Sequence, residues 1–166
     1  MKAKNISLLG SSEDETDYWK VNNDSVMGGL SSGIAEVKNK QIIFSGIIST
    51  ENNGGFSSVF KKLPALSKAV ETIKICFTGD GNRYQLRIRS FVMGYELVYK
   101  VAFLTSKRCS VTYRFYLSDF KACFRGRDLD HAPILEAANI SHVGFLINSK
   151  ESKRFSLTVH AIDFCN

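Results

Sequence analysis

The chain has few of the residues and spacings on which metal, redox and nucleophilic chemistry depend. No pair of its four cysteines has the Cys-x-x-Cys spacing of zinc sites and redox pairs; they are Cys76, Cys109, Cys123 and Cys165. The three histidines also lack metal-ligand spacing, and no Gly-x-Ser-x-Gly nucleophile motif is present. We therefore expect free thiols, no metal, no cofactor and no catalytic activity.

One catalytic alternative stays open, because four carboxylates could supply an acid and base pair; they are Asp80, Asp119, Asp128 and Asp130. The sequence does not show that any two of them lie at the separation that glycosidases need. We prefer the non-catalytic interpretation.

Long apolar runs are also missing. No stretch approaches the roughly 18 apolar residues of a membrane span. The first twenty residues hold only a short apolar stretch at 6–9, which acidic residues follow. We therefore expect no export signal, no membrane span and a cytoplasmic location.

The net charge of +6 is mild and is spread along the chain among acidic residues. It favours acidic partners through long-range attraction. Because there is no Lys/Arg-rich tract and no recognised nucleic-acid motif, we expect no nucleic-acid partner.

What the sequence does contain is repeated alternation of apolar and polar residues, which is typical of half-buried antiparallel strands. Tyr84, Leu86 and Ile88 alternate with Gln85, Arg87 and Arg89, and similar patterns occur at 97–103 and 111–117. Further strands are predicted at 42–48, 56–60, 73–77, 143–147 and 155–162, the last with Phe155, Leu157, Val159 and Ala161 on one face.

Glycine- and asparagine-rich turns separate these strands at 52–55, 79–82 and 148–153, where we expect hairpin-like joints. Helix is confined to possible turns at 65–70 and 133–138. Many short strands with few helices predict an all-β protein of two packed sheets, a sandwich or jelly roll, formed by one domain over 1–166.

Three polar segments stand out against the strand pattern. The first, 19–33, contains Trp19, Asn23, Asp24 and the glycine pair Gly28-Gly29. The second, 51–59, again combines asparagines with a glycine pair. The third, 79–84, has the sequence Gly-Asp-Gly-Asn-Arg-Tyr. Glycine pairs allow close backbone approach, and Asn and Asp side chains bind nearby amides. For the segment 19–33 we favour a rigid structural loop, with a ligand-contacting loop as the alternative.

These segments carry a resemblance to the respiratory complex I intermediate-associated protein 30 family. The pattern of Trp, Asn-Asp, Val-Met-Gly-Gly and a nearby Ser is present from Trp19 to Ser31. The family's Asn-Asn-Gly-Gly-Phe-x-Ser element matches 52–58, and its Gly-Asp-Gly-x-x-Tyr-x-Leu-x-Leu-Arg element matches 79–89, with Ile88 in place of a leucine. Later blocks match at 119–127 and 140–147, so the resemblance covers about 6–164.

The resemblance implies a galactose-binding-domain-like jelly roll, which agrees with the strand pattern. Mitochondrial members of the family act as assembly factors for the membrane arm of NADH:ubiquinone oxidoreductase. This chain shows no transit peptide and no long N-terminal extension, so we expect a bacterial-type, single-domain member. The expected partner is a protein, with respiratory-complex assembly intermediates as the class that the resemblance implies.

We therefore predict a chaperone-like binding domain without a catalytic site. The candidate partner-binding residues in loops are Asp24, Asn53, Asp80, Arg83, Arg125 and Arg127. Arg87 and Arg89, together with Arg114, are expected on polar strand faces, where they form either a binding surface or an ordinary solvated face. A carbohydrate-binding module is the alternative function, with Tyr116, Tyr95 and Trp19 as sugar platforms. The oligomeric state stays open.

Overall fold

The computed structural model describes residues 6–7, 19–24 and 28–166. Thirteen strands are described: β1 (Ile6–Ser7), β2 (Trp19–Asn23), β3 (Ser32–Lys38), β4 (Gln41–Ile48), β5 (Phe56–Lys62), β6 (Thr72–Thr78), β7 (Arg83–Val92), β8 (Tyr95–Leu104), β9 (Ser110–Tyr116), β10 (Lys121–Phe124), β11 (Arg127–Asp128), β12 (Ile140–Asn148) and β13 (Lys153–Cys165). Short 3-10 turns lie at Glu51–Asn53, Leu117–Asp119 and Ala137–Asn139.

The strands form two antiparallel sheets that pack face to face. Sheet A has the order β3-β4-β13-β6-β9, with β1 paired to β13, and sheet B has the order β11-β10-β8-β7-β12-β5-β2. The predicted two-sheet sandwich is confirmed, and the eight predicted strand segments overlap strands of the structure, except that Leu117 of the segment 111–117 lies in a 3-10 turn.

Large apolar side chains from both sheets fill the space between them. Phe44 and Phe77 of sheet A and Tyr84, Tyr99 and Phe145 of sheet B are almost fully buried. Each of these residues is on the inward face of its strand. The residues that alternate with Tyr84, Tyr99 and Phe145 along β7, β8 and β12 are therefore on the outer face of sheet B. The alternation in sequence thus determines which side chains are exposed to solvent.

The expected hairpins at 52–55, 79–82 and 148–153 are wrong. These segments connect β4 to β5, β6 to β7 and β12 to β13, and each pair lies in different sheets. Hairpins within a sheet and connections between sheets both need sharp turns, which glycine and asparagine allow. Composition alone therefore does not distinguish the two kinds of connection. Within the described ranges, hairpins occur instead at the β3-β4, β7-β8 and β10-β11 connections.

A β-bulge in β13 overturns one assignment of facing residues. The register of β13 against β6 shifts between Val159 and Ala161, and after the shift Ile162 and Phe164 are buried. An extra residue reverses the phase of a period-two pattern. Ala161 therefore leaves the face that Phe155, Leu157 and Val159 share, contrary to the sequence prediction.

The two predicted helical turns also differ from expectation. The segment 65–70 contains only a turn closed by the Val70 N–H bonded to the Ser67 carbonyl, at 3.2 Å. The second lies later than predicted, as the 3-10 turn Ala137–Asn139.

Candidate functional site

Asp24 joins the first two motif segments at one end of the sandwich. Its carboxylate is fully buried and accepts four hydrogen bonds, from the Ser31 N–H (2.9 Å), the Ser31 hydroxyl (2.5 Å), the Gly55 N–H (2.6 Å) and the Phe56 N–H (3.2 Å). Burial alone would raise the pKa of Asp24, but these hydrogen bonds outweigh it and hold the pKa below its ordinary value. Asp24 therefore organises the loops and has no free surface for a partner.

The glycines of the same segments fit tightly around this carboxylate. A Cβ atom on Gly29 or on Gly54 would overlap the Asp24 side chain. Only glycine allows the two backbones to approach this closely. The unusual composition of both segments is thus explained by one buried acid, which supports the rigid-loop interpretation.

Asp80 organises the third motif segment in the same way. Its carboxylate accepts bonds from the Asn82 N–H (3.0 Å) and side-chain amide (2.8 Å), the Tyr84 hydroxyl (3.1 Å) and the Ser156 N–H (2.7 Å). Burial and the charge of Asp80 raise the pKa of Tyr84. Asp80 therefore ties the β6-β7 connection to β13.

The outer face of sheet B carries a row of directly opposed residues that crosses six strands. In register, Lys20 of β2 faces Phe60, Phe60 faces Gly144, Gly144 faces Arg87, Arg87 faces Lys100 and Lys100 faces Lys121. We call these six residues the central row. It contains four cations and no acid.

Arg87 lies in the middle of the central row and is half-buried. Its Nε–H donates to the Gln85 side-chain oxygen at 2.9 Å. Burial lowers the pKa of Arg87 below its ordinary value, although an arginine of this kind stays charged. Within the described residues no carboxylate pairs with its guanidinium, so a positive charge is held in a partly desolvated position.

A second row lies beside the central row and contains Lys62, His142, Arg89, Val98, Cys123 and Asp128. The Arg89 guanidinium lies 4.0 Å from the centroid of the Phe60 ring. Phe60 is only 6% exposed although it faces outward. Its ring is therefore covered by a cation and offers no open aromatic face.

The positive charge of this face also acts on His142. Burial is the largest cause that lowers its pKa, and the charge of Arg89 lowers it further, while Glu96 acts in the opposite direction. The imidazole is thus surrounded mainly by cations.

Asp128 is the acid that neutralises part of the positive charge of Lys100 and Lys121, at the β10 end of the central row. It lies 2.9 Å from the Lys100 ammonium and 3.5 Å from the Lys121 ammonium, as measured between the charged atoms. The hydrogen bond from Lys100 and its charge lower the pKa of Asp128. Among the described residues this leaves Arg87 and Lys20 without a carboxylate partner, and Arg87 is the more buried of the two.

Arg125 and Arg127 lie apart from the central row, on the β10-β11 hairpin. The Arg125 guanidinium lies 5.2 Å from the ring centroid of Phe124. Phe124 lines an apolar pocket of about 370 Å³, together with Val92, Met93, Tyr95, Leu97, Leu129 and Pro133.

The predicted site residues therefore fall into three groups. Asp24 and Asp80 are loop organisers, Arg83, Arg87 and Arg89 share the outer face of sheet B, and Arg125 and Arg127 lie on the hairpin. Asn53 belongs to the 3-10 turn Glu51–Asn53, and its side chain lies outside the described part of the structure.

Other residues singled out from the sequence lie elsewhere. Arg114 is on β9 of sheet A, so it does not join Arg87 and Arg89. Of the three possible sugar platforms, Trp19 is buried in the core, whereas Tyr95 and Tyr116 are exposed on different sheets.

Sequence reasoning missed Lys20, Lys100 and Lys121. The alternation in β8 indicates that Lys100 faces outward, but the pairing of β2 and β10 with the rest of the sheet has no local sequence signal.

Two further findings concern the described residues as a whole. They hold no group of three or more His, Cys, Asp or Glu side chains placed to bind a metal ion. They also include no helix with the length and apolarity needed to cross a bilayer.

The model of the complex I intermediate-associated protein 30 family matches residues 9–159. The chain belongs to this family. The resemblance predicted from the motif segments is thus confirmed, and the buried Asp24 gives a structural reason for the family's first two segments. No protein with a curated description matches the chain.

Solved structures with the same fold include several carbohydrate-binding proteins. The family 11 carbohydrate-binding module of a cellulosomal cellulase of Clostridium thermocellum is 14% identical, with a TM-score of 0.70, covering 100% of this chain and 97% of that one. A low-affinity xylan-binding module of Roseburia intestinalis is 12% identical (TM-score 0.53; 98% and 95% covered). An agarase is 11% identical (TM-score 0.63; 98% and 24% covered). These likenesses establish the galactose-binding-like jelly-roll fold.

Proposed function

We propose that this family member is a non-catalytic binding domain that holds a protein partner on the outer face of sheet B. Its role is that of an assembly factor, with intermediates of a respiratory complex as the partner class suggested by the family. The observation that carries this proposal is the half-buried Arg87, which has no carboxylate partner within the described residues.

Such a cation is costly for a free protein, because a desolvated guanidinium loses hydration without gaining a counter-charge. A partner that supplies acceptor groups recovers part of this cost on binding. Arginine is also enriched among the residues that dominate the binding energy of protein interfaces. The cost in the free state is thus a reason to expect a ligand at this position.

Site-specific photo-crosslinking in producing cells tests the proposal. A photoreactive side chain at Ala102, which is exposed on β8 beside the central row, should capture a partner protein. The same group at Thr112, which is exposed on β9 of sheet A, is the matched control and should capture little. Mass spectrometry then identifies the captured protein.

Charge-reversal variants provide a second test in the same crosslinking experiment. Arg87→Glu with Arg89→Glu should abolish capture at Ala102, and Arg114→Glu on the other sheet should leave it unchanged. Equal capture at both positions, or none from a folded protein, would contradict the proposal.

Carbohydrate binding is the second candidate, and the presence of hydrogen-bonding groups such as Gln85 and Asn22 on the same face favours it. Sugar-binding faces also use exposed aromatic rings for stacking. Here the Phe60 ring is covered by Arg89, and Phe91, which is 56% exposed, lies near the far end of β7. The face therefore suits a charged partner better than a neutral sugar.

Titration calorimetry separates the two candidates. We expect no saturable heat with a β-1,3-1,4-mixed-linked tetrasaccharide, the ligand in a solved complex of the Clostridium module, at millimolar concentration. Saturable binding that Gln85→Ala removes would favour the carbohydrate function.

A further inference from the structure

The central row places like charges directly opposite one another on neighbouring strands. Arg87 faces Lys100 in register, and Lys100 faces Lys121. Cross-strand pairs of like charge destabilise a sheet. Asp128 offsets this repulsion for the two lysines but not for Arg87. The row is therefore poorly explained as an arrangement that stabilises the fold.

The geometry of the row gives the length of a ligand that could use it. Six neighbouring strands span about 24 Å, because strands are spaced about 4.8 Å apart. An extended peptide of about seven residues covers that distance. At Gly144 the row has no side chain, and the Phe60 ring packs closely over this position, so the ligand would contact the row through its cations.

We propose that the partner segment that binds this face is an extended acidic peptide lying across the strands along the central row. Its acidic side chains pair with Lys20, Arg87, Lys100 and Lys121, of which Arg87 is the central one. This inference rests on the proposed protein-binding function and adds the chemistry of the partner.

The rest of the face favours a peptide over other anionic polymers. Apolar residues lie on the same face to either side of the central row, including Val98, Ala102 and the 61% exposed Leu104, and can contact apolar side chains of a peptide. Single-stranded nucleic acids bind largely by stacking on open aromatic rings, whereas the Phe60 ring is covered. The carboxylates of Glu96 and Asp128 oppose a polymer that is anionic at every unit.

Fluorescence anisotropy with defined probes tests the inference. The probe is a labelled peptide of alternating Glu and Val residues and of the length given above, compared with the same peptide carrying Gln in place of Glu. We expect saturable binding of the Glu peptide that weakens as salt is raised, and at least about tenfold weaker binding of the Gln peptide.

Three variants locate the binding. Arg87→Gln should weaken binding of the Glu peptide about tenfold or more, as expected for loss of a charge-assisted hydrogen bond. Lys121→Gln provides a more exposed second variant should Arg87→Gln alter the urea midpoint. Arg114→Gln on sheet A is the control and should bind like the unaltered protein.

Several results would overturn the inference. These are equal affinity for the Glu and Gln peptides, equal loss in Arg87→Gln and Arg114→Gln, or tighter Arg87-dependent binding of a heparin fragment or of oligodeoxythymidylate. The last result would identify a different class of anion.

The crosslinking experiment distinguishes this failure from failure of the proposed function. If the crosslinker at Ala102 captures a protein whose binding is insensitive to salt and to Arg87→Gln, the proposed protein-binding function is supported. The inference that the partner segment is an acidic peptide is then rejected. If the Glu peptide binds but nothing is captured in cells, recognition of acidic groups stands and the protein-holding role fails.

Discussion

The Gly55 N–H donates a hydrogen bond to the Asp24 carboxylate at 2.6 Å, across 31 positions of the chain. The bond links the loop after β2 to the loop before β5, and the Ser31 hydroxyl extends the link to the main chain of Ser49. One buried acid thus fixes the end of the sandwich where the first two family segments meet.

Asp24→Asn should lower the free energy of unfolding by about 2 to 4 kcal/mol, because an amide cannot accept all the bonds now made to the carboxylate and leaves buried donors unsatisfied. Urea unfolding measures the change. Asp130→Asn, at an exposed position, is the control and should have little effect. An Asp24→Asn protein as stable as the control would show that the loop network contributes little.

The stability advantage of Asp24 should depend on pH. Its folded-state pKa is lowered, so the advantage is fully present above the unfolded value, near 3.8, and is lost as pH falls through the folded-state pKa. The difference in unfolding free energy between the unaltered protein and Asp24→Asn should therefore be constant at neutral pH and shrink in acid. A difference that widens below pH 4 would mean that the sign of the pKa shift is wrong.

Asp128→Asn should strengthen binding of the acidic probe peptide, because Asp128 competes with the ligand for Lys100 and Lys121. The thermal midpoint should change little, since exposed ion pairs contribute little to stability. Anisotropy titrations at two salt concentrations measure the effect, and the gain should be smaller at high salt. Weaker binding would indicate that Asp128 is needed to hold the lysines in place.

Arg89→Gln should raise the pKa of His142 toward its ordinary value. Burial is the larger cause of the lowered pKa and persists in the variant, so we expect partial recovery only. An NMR titration of the imidazole measures it. Arg114→Gln, on the other sheet, should leave the pKa of His142 unchanged; a pKa insensitive to Arg89→Gln would mean that this charge does not act on the imidazole.

The strands were predictable because a half-buried strand needs a local pattern, and the alternation through Tyr84, Leu86 and Ile88 supplies it. The inward and outward faces of β7 and β8 follow from the same pattern, so the outward position of Arg87 and Arg89 was available from sequence. β2 and β3 were missed because they lie within and beside the polar loop segment, where the pattern is short.

The sequence by itself determined the alternation of each strand, the sandwich class and, through its motif segments, the family. Only the tertiary structure decided that the glycine-rich segments cross between sheets, that Asp24 is enclosed by Gly29 and Gly54, and that Arg114 is separated from Arg87. It also brought Lys20, Arg87, Lys100 and Lys121 into one row. Local sequence specifies which face of a strand a residue occupies, but strand order and register depend on packing of the whole chain.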